Sequence, residues 1–178
     1  MIKLDYIAHF LWSSILFAGP QMYWAMLCGV LPDTIPFGSL MLRQLFRRNS
    51  ADQQKRTYRD REAMMSYYQR PDTRWVYGLY NWTHSLVVWG ILFIVLWFVG
   101  EANGFRPWFL LAGFLHILMD IPTHTHKFFA PRFLTPFSKF HVNGISWATP
   151  WVMVVNYSSI VLFLILRLLN YLPVIPWI

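Results

Sequence analysis

Five of the six histidines in this chain fall at the edges of apolar stretches, and two aspartates, Asp33 and Asp120, join them there. In chain order the group reads His9, then Leu31-Pro32-Asp33, then Thr83-His84-Ser85, then His116-x-x-x-Asp120-Ile121-Pro122-Thr123-His124-Thr125-His126. Ionisable side chains bordering hydrocarbon-length segments are expensive to place there, so a functional role is their default reading. Imidazole mixed with carboxylate points to a metal site at a membrane surface. The single cysteine, Cys28, excludes a site built from several thiolates, which leaves nitrogen and oxygen as the donors.

The pieces carry unequal weight. His116 and Asp120 are four residues apart, so on a helix they share a face with β-carbons about 5–6 Å apart, close enough to share or bridge a metal. Taken alone, a hydrogen bond closing a helix end explains that pair better, because such a spacing arises easily by chance. His124 and His126 follow a proline-broken helix end and alternate with threonines, as in a loop folded back over a site: one supplies a ligand, and the other donates a proton or faces water. Thr83-His84-Ser85 is expected to open a helix, with Asn81 or Thr83 as its N-cap. Asp33 lies between Pro32 and Pro36, which predicts a rigid turn fixing the direction of its carboxylate. His141 has no neighbouring carboxylate in sequence and is assigned a structural or supporting role.

Positioning these groups falls to a strongly apolar chain. Its 178 residues are 56% hydrophobic and 19% aromatic with only 13% charged, too little polar surface for a soluble domain of this size. The expectation is therefore one all-α, polytopic membrane domain over residues 1–178. Four apolar regions stand out: Phe10 to Leu31, Leu86 to Gly100, Trp108 to Ile121 and Trp147 to Leu172. With their flanks, about Tyr80 to Val99 and Phe105 to Pro122, the middle two reach the length that crosses roughly 30 Å of hydrocarbon. The last region suffices by itself and ends at Pro173 and Pro176, which cannot continue a helix. Gly19-Pro20 interrupts the first. A straight helix there would put His9 and Asp33 on opposite membrane faces, whereas two half-length helices folded as a re-entrant hairpin return both to one face, and that is the favoured arrangement. The prediction is thus three spanning helices plus an N-terminal re-entrant hairpin. The start of the chain lacks a small-x-small cleavage site, so no removable signal peptide is expected.

Residues 43–74 form a basic loop holding nine of the fifteen lysines and arginines. By the positive-inside rule it is cytoplasmic, and Lys127, Arg132 and Lys139 raise the inside count to twelve. His9, Asp33, His84, His116 and Asp120 then meet on the cytoplasmic face of a bacterial-type inner membrane. The charge of +7 implies no nucleic-acid partner, because basic residues flanking membrane segments account for it and no RNA-binding motif interleaves them with aromatics. Sequence 52–62 suits a surface-lying helix against anionic lipid.

The order His, Leu-Pro-Asp, Thr-His-Ser, His-x-x-x-Asp-x-x-Thr, from His9 to about Pro136, resembles the LexA-regulated, membrane-bound metal-dependent hydrolase family, itself similar to the zinc-dependent phospholipase C and single-strand nuclease superfamily. That resemblance implies metal ligation by His9, Asp33, His84, His116 and Asp120, with Asp120 a bridge and His124 or His126 a further ligand. The chain lacks the second His-x-x-x-Glu and the amino-terminal tryptophan of the phospholipases, which points to one or two ions rather than three. The implied cofactor is zinc, with manganese as the alternative. The implied chemistry is hydrolysis of a membrane-lipid phosphoester by metal-activated hydroxide, with Asp120 and His126 in catalytic roles. Arg132, Lys127 and Arg74 are the candidates for pairing with phosphate. No G-x-S-x-G elbow, phosphate-binding glycine loop or dinucleotide fingerprint supports a serine hydrolase, nucleotidase or dehydrogenase. Two other classes use similar residues: a metal transporter or sensor, which would set its ligands nearer the bilayer midplane, and a non-enzymatic scaffold with a structural metal site.

Overall fold

The computed structural model describes residues 2–46, 66–126 and 129–172, and within them it is helical, without a β-strand. The elements are α1 (Ile2–Leu16), α2 (Met22–Phe46), α3 (Arg74–Thr83), α4 (Leu86–Ala102), a 3-10 turn (Trp108–Leu110), α5 (Leu111–Thr123) and α6 (Pro150–Leu168). Most of the basic loop, Lys127, Pro173 and Pro176 lie outside the described residues.

The chain reverses at Gly19-Pro20, as expected. Gly19 has φ 147°, a conformation that side chains disfavour, and Met22 N–H donates to its carbonyl to close the turn. α1 and α2 then run antiparallel in close contact. Across them the Tyr6 and Thr34 hydroxyls meet at 2.9 Å, and a Cβ on Gly29 would lie 1.9 Å from Ser13 Oγ and 2.9 Å from Ser13 Cβ. Only a glycine at 29 lets the two backbones approach this closely.

Two expectations about this hairpin are corrected. Pro32 and Pro36 do not form a turn around Asp33, since both lie inside α2. They remove two helical donors, but α2 is packed along its length against α1, α3, α5 and the 3-10 turn, and that packing outweighs the local preference. The second arm is therefore not half-length. α2 is long and apolar enough to cross a membrane by itself, over Met22–Arg43.

The second predicted span also differs. Thr83-His84-Ser85 opens a helix as expected, with Ser85 as the cap in place of Asn81 or Thr83, but it also ends the helix before it. His84 ends α3, Ser85 caps α4 by accepting from Val88 N at 3.3 Å, and the two helices meet at 51°. Trp89 Nε1 donates to the Thr83 carbonyl at 2.8 Å, and Leu86 N donates to Phe133 O at 2.9 Å, so the break is pinned from both sides. The third predicted span, Trp108 to Ile121 with its flanks, is shorter than a membrane crossing: its helical stretch runs over Trp108–Thr123 and ends where the backbone of His124 turns extended. Two single helices, α2 and α6, are thus long and apolar enough to cross a membrane, and three are if α3 and α4 count as one bent span. α4 and α6 present Ile91, Ile94, Phe98, Val154, Val161 and Leu168 outward, the kind of surface that a hydrocarbon solvent tolerates.

Burial is distributed over three clusters. One gathers Leu40, Tyr67, Tyr68, Val76, Tyr80, Phe129 and Trp147. A second joins Phe17, Ala25, Cys28, Trp89, Leu110, Ala112 and Ile117, and a third sets Ala8 and Ile15 of α1 against Ile160 of α6. The buried polar residues His9, Asp33, His84, His116, Asp120 and His124 come together among these elements.

Candidate metal centre

Three histidine rings are oriented by backbone carbonyls. His84 Nδ1 lies 2.9 Å from Tyr80 O, His116 Nδ1 lies 2.7 Å from Gly29 O, and His124 Nδ1 lies 3.2 Å from Asp120 O. A carbonyl only accepts, so Nδ1 of each ring carries a proton, and in its neutral form each ring presents an Nε2 lone pair. Tyr80 stacks on His84 at 3.7 Å and donates its hydroxyl to Phe129 O, holding the ring in place.

Those lone pairs converge. His84 Nε2 and His116 Nε2 are 3.1 Å apart, at 3.2 and 3.3 Å from Asp120 Oδ2, and Asp33 Oδ1 lies 3.4 Å from His84 Nε2. Asp33, His84, His116 and Asp120, all buried, each offer a ligand atom within 4.8 Å of the others. Two lone pairs and two carboxylates facing one another repel unless a cation or proton stands among them. The carbonyl contacts behind the rings are the usual way a protein aims imidazole at a metal.

A second donor group adjoins the first. Asp5, Asp120 and His124 also bring ligand atoms within 4.8 Å of one another, with His124 Nε2 at 3.8 Å from Asp5 Oδ2 and Nδ1 at 3.7 Å from Asp120 Oδ1. Asp120 therefore gives Oδ2 to one group and Oδ1 to the other. His9 lies between them: its Nε2 is 3.1 Å from Asp120 Oδ1 and 3.6 Å from Asp5 Oδ1, and its ring stacks on His116 at 3.7 Å. Despite that proximity, His9 Nδ1, His9 Nε2 and Asp120 Oδ1 are buried without a hydrogen bond of acceptable geometry. Buried polar atoms are nearly always partnered, and an ion at this point would satisfy Asp120 Oδ1. The two groups, three carboxylates and three imidazoles in all, are nitrogen and oxygen donors of the kind that could hold a metal ion. Burial pushes the Asp5 carboxyl up to about 7 against the opposing pull of His9, and burial holds the His124 imidazole below its ordinary value against the carboxylate of Asp120.

The sequence-predicted residues divide accordingly. His9, Asp33, His84, His116, Asp120 and His124 are brought together. His126 is exposed, and its ring meets His141 edge-on at 4.3 Å, away from both donor groups. Of the candidates for phosphate, Arg132 sits over the Tyr77 ring and Arg74 is exposed at the start of α3. Asp5 was missed as a candidate, although Asp5-x-x-x-His9 repeats the four-residue spacing of His116 and Asp120 in reverse order.

Of the three-donor group, Asp5 borders a cavity of about 540 Å³ between α1, α5 and α6. Asp5 and His9 line it, and among the described residues neither lysine nor arginine does. No protein-family model matches the chain, and no curated protein and no solved structure is significantly similar to it.

Proposed function

We propose that this chain is a membrane-embedded, metal-dependent hydrolase that cleaves a phosphoester in or near the lipid headgroup layer. The observation that carries the reading is Asp120, buried and presenting one oxygen to a closed four-donor group and the other to a three-donor group facing a cavity. Structural zinc sites take four protein ligands, and catalytic ones take three and keep a position open. Two divalent ions held there would supply a water activated near neutral pH and the positive charge that a phosphoester needs.

The chain's own residues divide the remaining work. His84, His116 and Asp33 hold the closed group in place, anchored by the Tyr80 and Gly29 carbonyls. Asp5 and His124 hold the open group against the cavity. His9, without a hydrogen-bond partner at either ring nitrogen and exposed to the cavity wall, is the residue placed to hold a proton for the leaving oxygen. That role replaces the one read for His126.

The reading includes a membrane-spanning chain with the centre at the cytoplasmic face, argued from the lysine and arginine distribution. It also includes kinship with the LexA-regulated membrane-bound hydrolases, argued from the order of the motifs. Elemental analysis of purified protein, paired with turnover of phospholipid and generic phosphodiester substrates, tests it. Asp120→Ala should lose both metal and turnover while remaining inserted. Absence of bound metal, or activity indifferent to both chelation and Asp120→Ala, would leave the centre as part of a non-enzymatic scaffold.

A further inference from the structure

The cavity beside the three-donor group has a direction. On α1 its wall is formed by Asp5, His9, Trp12 and Leu16, spaced by four, three and four residues and therefore on one helical face. On α5 it is formed by Leu115 and Met119 and ends at Thr123, beside His124, which faces Asp5. One end is therefore the metal centre and the other is apolar. From Asp5 to Leu16 the helical rise covers about 16 Å, close to half of a hydrocarbon core of about 30 Å, which is the depth of one leaflet. The volume of about 540 Å³ lies within the range of sites that enclose a single small ligand.

The third wall is α6, which has almost no buried surface along its span and is tied to α1 by Trp12 Nε1 donating to Asn156 Oδ1 at 2.8 Å. An apolar slot bounded by a helix of membrane-crossing character is reached from the hydrocarbon. Among the described residues its lining is apolar away from Asp5 and His9, apart from a few neutral polar side chains, so the donor end is where an anionic group finds partners. Resting on the hydrolase reading above, we infer that the slot holds one hydrocarbon chain of the substrate, so that the substrate is a membrane amphiphile whose phosphoester is presented to Asp5, His9 and His124 while its tail lies between α1, α5 and α6. The tail sets the depth at which the ester stops, and chain length becomes a determinant of specificity.

The test uses the zinc-loaded full chain in phosphatidylcholine vesicles containing phosphatidylglycerol with a diazirine midway along one acyl chain. After illumination, peptide mapping should find the label on Leu115, Met119 and the cavity face of α6. Ser159→Trp and Leu115→Trp fill the slot without touching a donor residue, and each should cut that labelling at least tenfold with zinc content unchanged. Zinc retention reports that the bundle is intact, and the wild-type map decides the question even if a variant fails to assemble. Label confined to the outward faces of α4 and α6, or unaltered in both filled variants that retain zinc, overturns the assignment. Turnover measured on the same samples separates the two readings. Slot labelling without phosphoester cleavage removes the hydrolase and keeps the slot, whereas cleavage with label elsewhere does the reverse.

Discussion

Gly29→Ala should remove one metal ion from the centre and leave the other. The new Cβ would stand 1.9 Å from Ser13 Oγ and 2.9 Å from Ser13 Cβ, where ordinary contact begins at 3.4 Å. Rotation of the Ser13 hydroxyl, which now donates to His9 O at 2.8 Å, relieves the first clash. The second involves an atom fixed to the α1 backbone, so α1 must retreat by at least about 0.5 Å. Metal–ligand distances hold to within about 0.2 Å, so the retreat exceeds what a bound ion tolerates, and overpacking of this kind costs about 1–3 kcal/mol. α1 supplies Asp5 and His9 but nothing to the group of Asp33, His84, His116 and Asp120. Elemental analysis should therefore fall from two zinc ions per chain toward one, with turnover lost. Ser13→Gly in the same chain removes both clashing atoms and should restore the second ion. Two ions bound at unaltered affinity by Gly29→Ala would refute the division of the centre into an α1-dependent half and an α1-independent half.

The remaining predictions concern the ligands, the topology and pH. His84→Ala should abolish the closed group and lower metal content more than His126→Ala, which should leave metal content unchanged and turnover within about threefold, because His126 belongs to neither donor group. In a Cys28→Ala background, cysteines placed at Lys3 and at Ser50 should label from the same side of the membrane, and labelling from opposite sides would remove the amino-terminal arm from the centre. Apparent metal affinity, measured by competition with a chromogenic chelator, should fall as pH drops through about 7, because the Asp5 carboxyl, pushed up there by burial, takes a proton that binding must release, and a protonated imidazole cannot ligate either. A flat profile between pH 5 and 8 would argue against imidazole ligands.

Much of this arrangement is legible in residue types and spacing. Gly19-Pro20 marks the reversal because that dipeptide is hard to accommodate in any continuous helix. His116-x-x-x-Asp120 marks one face of α5 because helical geometry leaves little choice. What escaped the sequence was decided by packing. Pro32 and Pro36 read as a turn until α2 is seen to be held by four other elements, which makes the loss of two helical hydrogen bonds tolerable. The 51° break at His84 has no proline or glycine to announce it and is fixed by Trp89, Phe133 and Ser85 from outside the segment. The choice between His124 and His126 turned on a carboxylate 119 residues earlier, Asp5, whose relevance appears only once α1 is folded back.

Every donor of the centre lies between residues 5 and 124, and α6 contributes none. Made from its amino end, the chain completes the donor set before α6 is synthesised, and only afterwards does α6 close the third side of the cavity. If the proposed reading holds, metal capture and construction of the tail slot are separable events, and the donor residues are assembled before there is a wall to select which chain enters.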